Sequence, residues 1–155
     1  VLQYSNLIVI QSFSKWFGLP AIRLGYIIAN SDLTKALHAQ RPSYETNVFS
    51  MAAATWALNN LSYFEDYALQ VIKTRDWLQA QLSEIGIMSH GGYSNNISIS
   101  FSSPEEAEQI VSTLKSKGIL ARNLPSPAEH CIGVTIGSRD VMKKFLAKFK
   151  ESLVR

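Results

Sequence analysis

Cysteine is almost missing from this chain: its 155 residues contain one, Cys131. No disulfide can form within the chain, and one thiol with three scattered histidines, His38, His90 and His130, makes no metal-ligand spacing. So little thiol also suits a reducing, cytoplasmic setting. Charged residues are few, at 17%, and the formal net charge is only +3. The densest basic group, Lys143, Lys144, Lys148 and Lys150, has the spacing of a solvated helix face and not of a nucleic-acid patch. No apolar run approaches the roughly 20 residues of a membrane span, and no basic start, apolar middle and small-residue end marks a secretory signal. Repeats and low-complexity segments are lacking too. What is present is the 46% hydrophobic content of a soluble globular protein, enough for one ordinary domain core.

The most informative stretch is 7–26, LIVIQSFSKWFGLPAIRLGY. Leu7-Ile8-Val9-Ile10 is too short for a helix and predicts a strand buried on both faces, parallel to its neighbours. At its carboxyl end, where open α/β sheets place ligands, stand Gln11, Ser12, Ser14 and Lys15. Gly18 and Pro20 punctuate the chain, and Arg23 follows Lys15 by eight residues at the head of a second apolar run. Two hydroxyls, one amine and one guanidinium on one rim suit a phosphorylated carbonyl compound. The amine can condense with the carbonyl, and a planar guanidinium fork can grip two phosphate oxygens. The neighbouring Trp16 and Phe17 predict that Lys15 is partly desolvated.

The pattern S-x-S-K-x-x-G-L-x-x-x-R-x-G-Y in this stretch resembles the cofactor-lysine segment of class I/II pyridoxal-phosphate aminotransferases, most closely the histidinol-phosphate aminotransferase branch. The resemblance weakens toward the end of the chain, through RPSYETNVFSMAAATWAL and then GVTIGS. It implies pyridoxal 5'-phosphate as cofactor, Lys15 as its Schiff-base anchor and general base, and Ser12, Ser14 and Arg23 as phosphate ligands. It further implies a small-molecule amino donor, a 2-oxo acid acceptor and a homodimer, with Tyr44 and Asn47 near the cofactor of a partner subunit. The implied fold is α/β: the end of a fold-type I PLP-transferase large domain over 1–65, then a small α+β carboxyl-terminal domain over 66–155. The abrupt start at Val1, just before a buried strand, leads to the expectation that this is the carboxyl-terminal part of a longer enzyme.

One departure stands out. Where the family pattern is R-x-T-x-G-[ST], with the arginine on the substrate carboxylate, this chain has Gly133-Val134-Thr135-Ile136-Gly137-Ser138. Losing a charge-assisted bond costs about 1.5–3 kcal/mol, roughly ten- to a hundredfold in affinity. Arg122 matches another arginine of the family at a strand end and is the residue expected to compensate or to hold a substrate phosphate. Decarboxylation or elimination on an amino-acid phosphate is therefore a rival to transamination, and a non-catalytic remnant serving as an interaction module is a second rival.

The remaining elements follow from periodicity and caps. Asn30-Ser31-Asp32 opens a short helix over about 33–40, and a second helix starts after Thr46, its alanines allowing close approach. Phe64, Tyr67, Ala68, Val71, Ile72, Leu78, Leu82 and Ile85 make a long amphipathic helix that Gly86 ends. Ile97, Ile99 and Phe101 alternate with serines as a half-covered strand. Ser103-Pro104-Glu105-Glu106 starts a helix that stops at Gly118. Strands are expected at 119–122 and 131–136, with a proline loop between, and a closing helix capped by Ser138 with Val141, Phe145, Phe149 and Leu153 as its buried stripe. Cys131 is expected to be buried and inert.

Overall fold

A computed structural model describes residues 1, 3–42 and 45–153. It divides into two compact units, Val1–Asp66 and Tyr67–Arg155.

In the first unit, β1 (Val9–Ser12) and β2 (Gly25–Ile28) form an antiparallel ribbon, with Val9 opposite Ile28 and Ser12 opposite Gly25. The expected strand buried on both faces is corrected here. It starts at Val9, pairs antiparallel with one neighbour among the described residues, and leaves Ile10 78% exposed. A four-residue apolar run specifies extended backbone but not how many strands flank it. The ribbon leads into a small core in which Phe13, Phe17, Ala54, Ala57 and Phe64 are buried.

Helix α1 (Ser31–His38) begins two residues earlier than expected, because Asn30 is its cap. The Asn30 Oδ1 accepts from the amides of Asp32 and Leu33, each at 3.0 Å. Asn47 caps α2 (Val48–Asn59) in the same way, accepting from the Ser50 amide at 2.9 Å. The small side chains of Ala54 and Ala57 are buried on its inner side. Ser43 and Tyr44 lie outside the described residues. The residues of α3 (Leu61–Glu84) are divided between the two units.

The second unit is a four-stranded antiparallel sheet with helices on one face. Its strands are β3 (Ser89–Gly91), β4 (Asn96–Ser100), β5 (Arg122–Asn123) and β6 (Cys131–Thr135), in the order β3-β4-β6-β5. Alternation holds in β4, where Ile97 and Ile99 join Ile132, Val134, Leu78, Leu82, Leu114 and Phe149 in the larger core. Helix α3 ends in a Schellman turn: Gly86 has φ +75°, its amide reaches Ser83 O at 3.0 Å, and the Ile87 amide reaches Leu82 O at 2.9 Å. Gly118 closes α4 (Pro104–Ser116) by the same geometry.

That second turn corrects the strand expected over 119–122. The Ile119 amide is committed to Leu114 O at 2.9 Å, so ladder pairing starts only at Arg122. Short β3 carries no hydropathy alternation around His90 and Gly91 that would mark it as a strand in the sequence. In α5 (Arg139–Leu153), Met142 is buried and Val141 is 52% exposed, reversing the expectation. Strict four-residue steps drift about 40° each around a helix, whereas 142, 145, 146 and 149 stay on one side. Tyr67 and Ile72 of α3 are likewise exposed, beside the inner line of Val71, Thr74, Leu78 and Leu82. No helix of the described residues is long and apolar enough to cross a membrane.

Candidate active site

The loop from Ser12 to Arg23 is built on Phe13. Its amide donates to Leu24 O at 3.1 Å, while its carbonyl accepts from the Leu19 amide at 2.9 Å. With the Phe13 ring buried against Phe17 at 4.6 Å, the backbone around it is held on both sides. Ser12 and Ser14 flank this anchor, and the Ser12 Oγ accepts from the Ser14 amide at 3.1 Å, leaving its own proton free to donate. Lys15 follows. Its carbonyl takes the Gly18 amide at 3.0 Å, and Gly18 has φ +62°.

Arg23 carries the sharpest local feature of the site. At φ 49° and ψ 42° it is left-handed, a conformation that costs a side-chain-bearing residue about 1–2 kcal/mol. Its Nη1 donates to Pro20 O at 2.9 Å, and its own amide points to the same carbonyl. Ser50 of α2 donates to the preceding carbonyl, Ile22 O, and so ties the kink to a helix. The kink turns the chain back into β2, where a Cβ on Gly25 would stand 2.7 Å from Gln11 O. The glycine of the motif is therefore needed for strand approach.

Because Ser14 and Arg23 each adjoin the Phe13–Leu24 pair, the fold gathers Ser12, Ser14, Lys15 and Arg23 within one small unit. The desolvation expected for Lys15 is not found: Lys15 and Arg23 are both exposed. Packing explains why, since Phe13 and Phe17 turn inward while Trp16 stays 39% exposed beside Lys15. Between Val1 and Asn30 there is no aspartate or glutamate. Hydroxyls, an ammonium and a guanidinium with no competing carboxylate match a phosphate monoester that also bears a carbonyl, so these residues fit pyridoxal phosphate.

Arg122 and Gly133 lie in the second unit, directly paired between β5 and β6. A Cβ on Gly133 would come within 3.0 Å of Arg122 Nε and 2.9 Å of Leu124 Cδ2. Arg122 thus leans across the strand where the glycine has no side chain. That cross-strand lean was invisible in the sequence, as were the burial of Phe13 and the tight approach at Gly25. Asn47, which the resemblance put near a cofactor, has its amide engaged with Ser50, through both Oδ1 and Nδ2. Among the described residues no group of three His, Cys, Asp or Glu side chains could hold a metal ion.

This mixed helix and sheet arrangement is the fold of the fold-type I aminotransferases. It matches the crystal structure of histidinol-phosphate aminotransferase from Sinorhizobium meliloti in complex with pyridoxal-5'-phosphate at a TM-score of 0.85 and 23% identity, over 98% of this chain and 42% of that one. The family model for aminotransferase class I and II matches residues 1–149, and the chain belongs to that family. Histidinol-phosphate aminotransferase of Brachyspira hyodysenteriae is 38% identical over 152 residues, which is 96% of this chain and 43% of that protein. The fold is also similar to L-threonine-O-3-phosphate decarboxylase from Porphyromonas gingivalis, with a TM-score of 0.77 and 20% identity over 97% of this chain and 48% of that one. The chain spans less than half the length of these relatives.

Proposed function

We propose that this chain is part of a pyridoxal-phosphate-dependent aminotransferase that moves an amino group between an amino acid, or a phosphorylated amino compound, and a 2-oxo acid. The observation that carries the reading is the carboxylate-free loop in which Ser12, Ser14, Lys15 and Arg23 surround the buried Phe13 anchor. Residues 1–65 are read as the end of the cofactor-binding large domain and 66–155 as the small domain. The whole enzyme is read as a cytoplasmic homodimer.

When bound, the cofactor supplies an electron sink for charge that develops as a bond at the amino carbon breaks. The protein's part is to hold and to move protons. Arg23 and the two serine hydroxyls would hold and neutralise the phosphate, and so orient the cofactor toward Lys15. Lys15 Nζ would hold the cofactor by its carbonyl end, and the same amine, when free, would serve as the base for the α-proton of the amino substrate. Arg122 is the residue available for an acidic group of the substrate.

A specific observation favours a second reading. Gly133 occupies the position at which the family pattern has its carboxylate-binding arginine. An amino-acid-phosphate decarboxylase or lyase needs the bond to the carboxylate aligned for cleavage, not the carboxylate clamped for proton transfer. Two experiments separate these readings and the remnant. Borohydride reduction of the protein that carries this chain, with cofactor present, is expected to place a single label on Lys15 and none in Lys15→Ala. An unlabelled Lys15 leaves the non-catalytic remnant standing. Product analysis across a panel of amino acids and amino-acid phosphates is expected to yield 2-oxo acids. Release of carbon dioxide without a 2-oxo acid points instead to the decarboxylase.

A further inference from the structure

Hydrogen bonding fixes which way each backbone group of the outer strand points. The Leu124 amide donates to Cys131 O at 3.1 Å, so these two residues form a hydrogen-bonded pair of an antiparallel ladder. Such pairs recur at every second residue. Arg122 with Gly133 is therefore the next, while Asn123 opposite Ile132 is a non-bonded pair whose amide and carbonyl on β5 point away from the sheet. Ala121, just before Arg122, continues the alternation and points the same way. Among the described residues the backbone groups of Ala121 and Asn123 have no hydrogen-bond partner.

In the order β3-β4-β6-β5 the outer side of β5 is an edge of the sheet. The opposite edge is covered by α3: Arg75 donates to Gly92 O just after β3, and a Cβ on Gly91 would stand 2.7 Å from Gln79 Oε1. Nothing comparable guards β5. Exposed edges are ordinarily blunted by proline, charge or a covering element, yet Ile119, Leu120 and Ala121 bring neither proline nor charge. Leu120 is 85% exposed, and beside it a cleft of about 550 Å³ reaches to Val141, Met142 and Phe145. An open edge next to unburied apolar surface is the arrangement to which an extended chain adds as a further strand.

We propose that an extended segment of the same enzyme, from polypeptide outside these 155 residues, pairs with Ala121 and Asn123 as an added strand and lays an apolar side chain over Leu120 and into the cleft toward Val141. Size selects this occupant over a second copy of the chain. A ladder through Ala121 and Asn123 alone buries far less than the roughly 1,000 Å² that a stable contact between separate molecules needs. A tethered segment meets the edge at an effective concentration on the order of millimolar and needs no such area. Polypeptide for it is at hand, since the chain spans less than half the length of its relatives. The occupant rests on reading the chain as part of a longer enzyme, but the chemistry assigned to Lys15 has no part in it.

The test compares hydrogen exchange in the 155-residue chain and in the full-length enzyme that carries it, both without cofactor. In the chain alone the amides of Ala121 and Asn123 are expected to exchange like those of an unstructured peptide, in contrast to the Ile132 amide within the sheet. In the full-length enzyme they are expected to exchange at least tenfold more slowly. Leu120→Lys gives an independent readout: it should leave the melting temperature of the chain unchanged, because the side chain is exposed there, and lower that of the full-length enzyme. Equal exchange of the two amides in both proteins overturns the proposal. So does protection already present in the chain alone, whether its first unit or a second copy supplies it, and so does a Leu120→Lys effect of the same size in both proteins. Should the full-length variant fail to fold, the exchange comparison of the unaltered proteins decides. Transamination is tested separately by the borohydride label at Lys15.

Discussion

A glycine in this protein is defined by what stands opposite it. Gly25 faces a backbone carbonyl, Gln11 O, at a distance that no Cβ tolerates, and backbone cannot swing aside as a long side chain does. Gly25→Ala is therefore expected to part β1 from β2 and to destabilise the chain by about 1–3 kcal/mol, the usual range for forcing an extra carbon into a filled space. A denaturant midpoint unchanged from the unaltered chain would show that the ribbon does not need this approach. Gly133 faces flexible side chains, Arg122 and Leu124, so its glycine affects where a guanidinium goes more than whether the sheet forms.

Helix ends carry much of the local order. Side-chain oxygens of Asn30, Asn47 and Ser103 accept from free amides at three helix starts, and left-handed glycines close α3 and α4. Between helices, Glu151 of α5 meets Lys148 on its own helix at 3.2 Å and Lys117 at the end of α4 at 3.4 Å. The Lys148 hydrogen bond, with Lys117 adding to it, holds the Glu151 carboxyl below its ordinary value of 4.5. Glu105, through the Ser103 hydroxyl, and Glu129, through its own backbone amide, are lowered too. A carboxyl lowered by folding is ionised in the folded chain while the unfolded chain already binds a proton. Its stabilisation is thus complete above about 4.5 and is lost as pH falls below it. Melting temperature should drop through that window, and Glu151→Gln should drop less. Since these groups are exposed, 1 M salt should shrink the difference between the two proteins. Parallel pH curves for both would remove Glu151 from the account.

At the scale of the molecule the two units differ in how much apolar surface each encloses. Among the described residues the second has fifteen buried hydrophobic residues in one cluster and the first has five. The first also exposes Ile10 and Ile27 on its ribbon and Phe49 and Trp56 on α2. Because burial of apolar surface is the main favourable contribution to folding, amides of β4 and β6 are expected to exchange with deuterium far more slowly than those of β1 and β2. Equal protection of the two ribbons of strands would contradict this.

Much of this was written locally. Caps, Schellman glycines, the alternation of β4 and the spaced serines, lysine and arginine each depend on contacts within a few residues, and short-range signals of that kind survive in a linear reading. Family membership was legible for the same reason, through the spacing from Ser12 to Tyr26. Other features depend on partners far away in sequence. The antiparallel pairing of β1 and the row of His90, Ser98, Gly133 and Arg122 across the second sheet follow from strand register, which in these pairs joins residues 8 to 35 positions apart. Only folding decides register, because a shift of one residue turns every side chain of a strand to the other face. The sequence thus determined that two serines and an arginine lie within eight residues of Lys15 along the chain and that position 133 has no arginine. The tertiary structure alone decided that Arg122 leans into the space left there, because no short-range preference of either residue encodes which strands lie side by side.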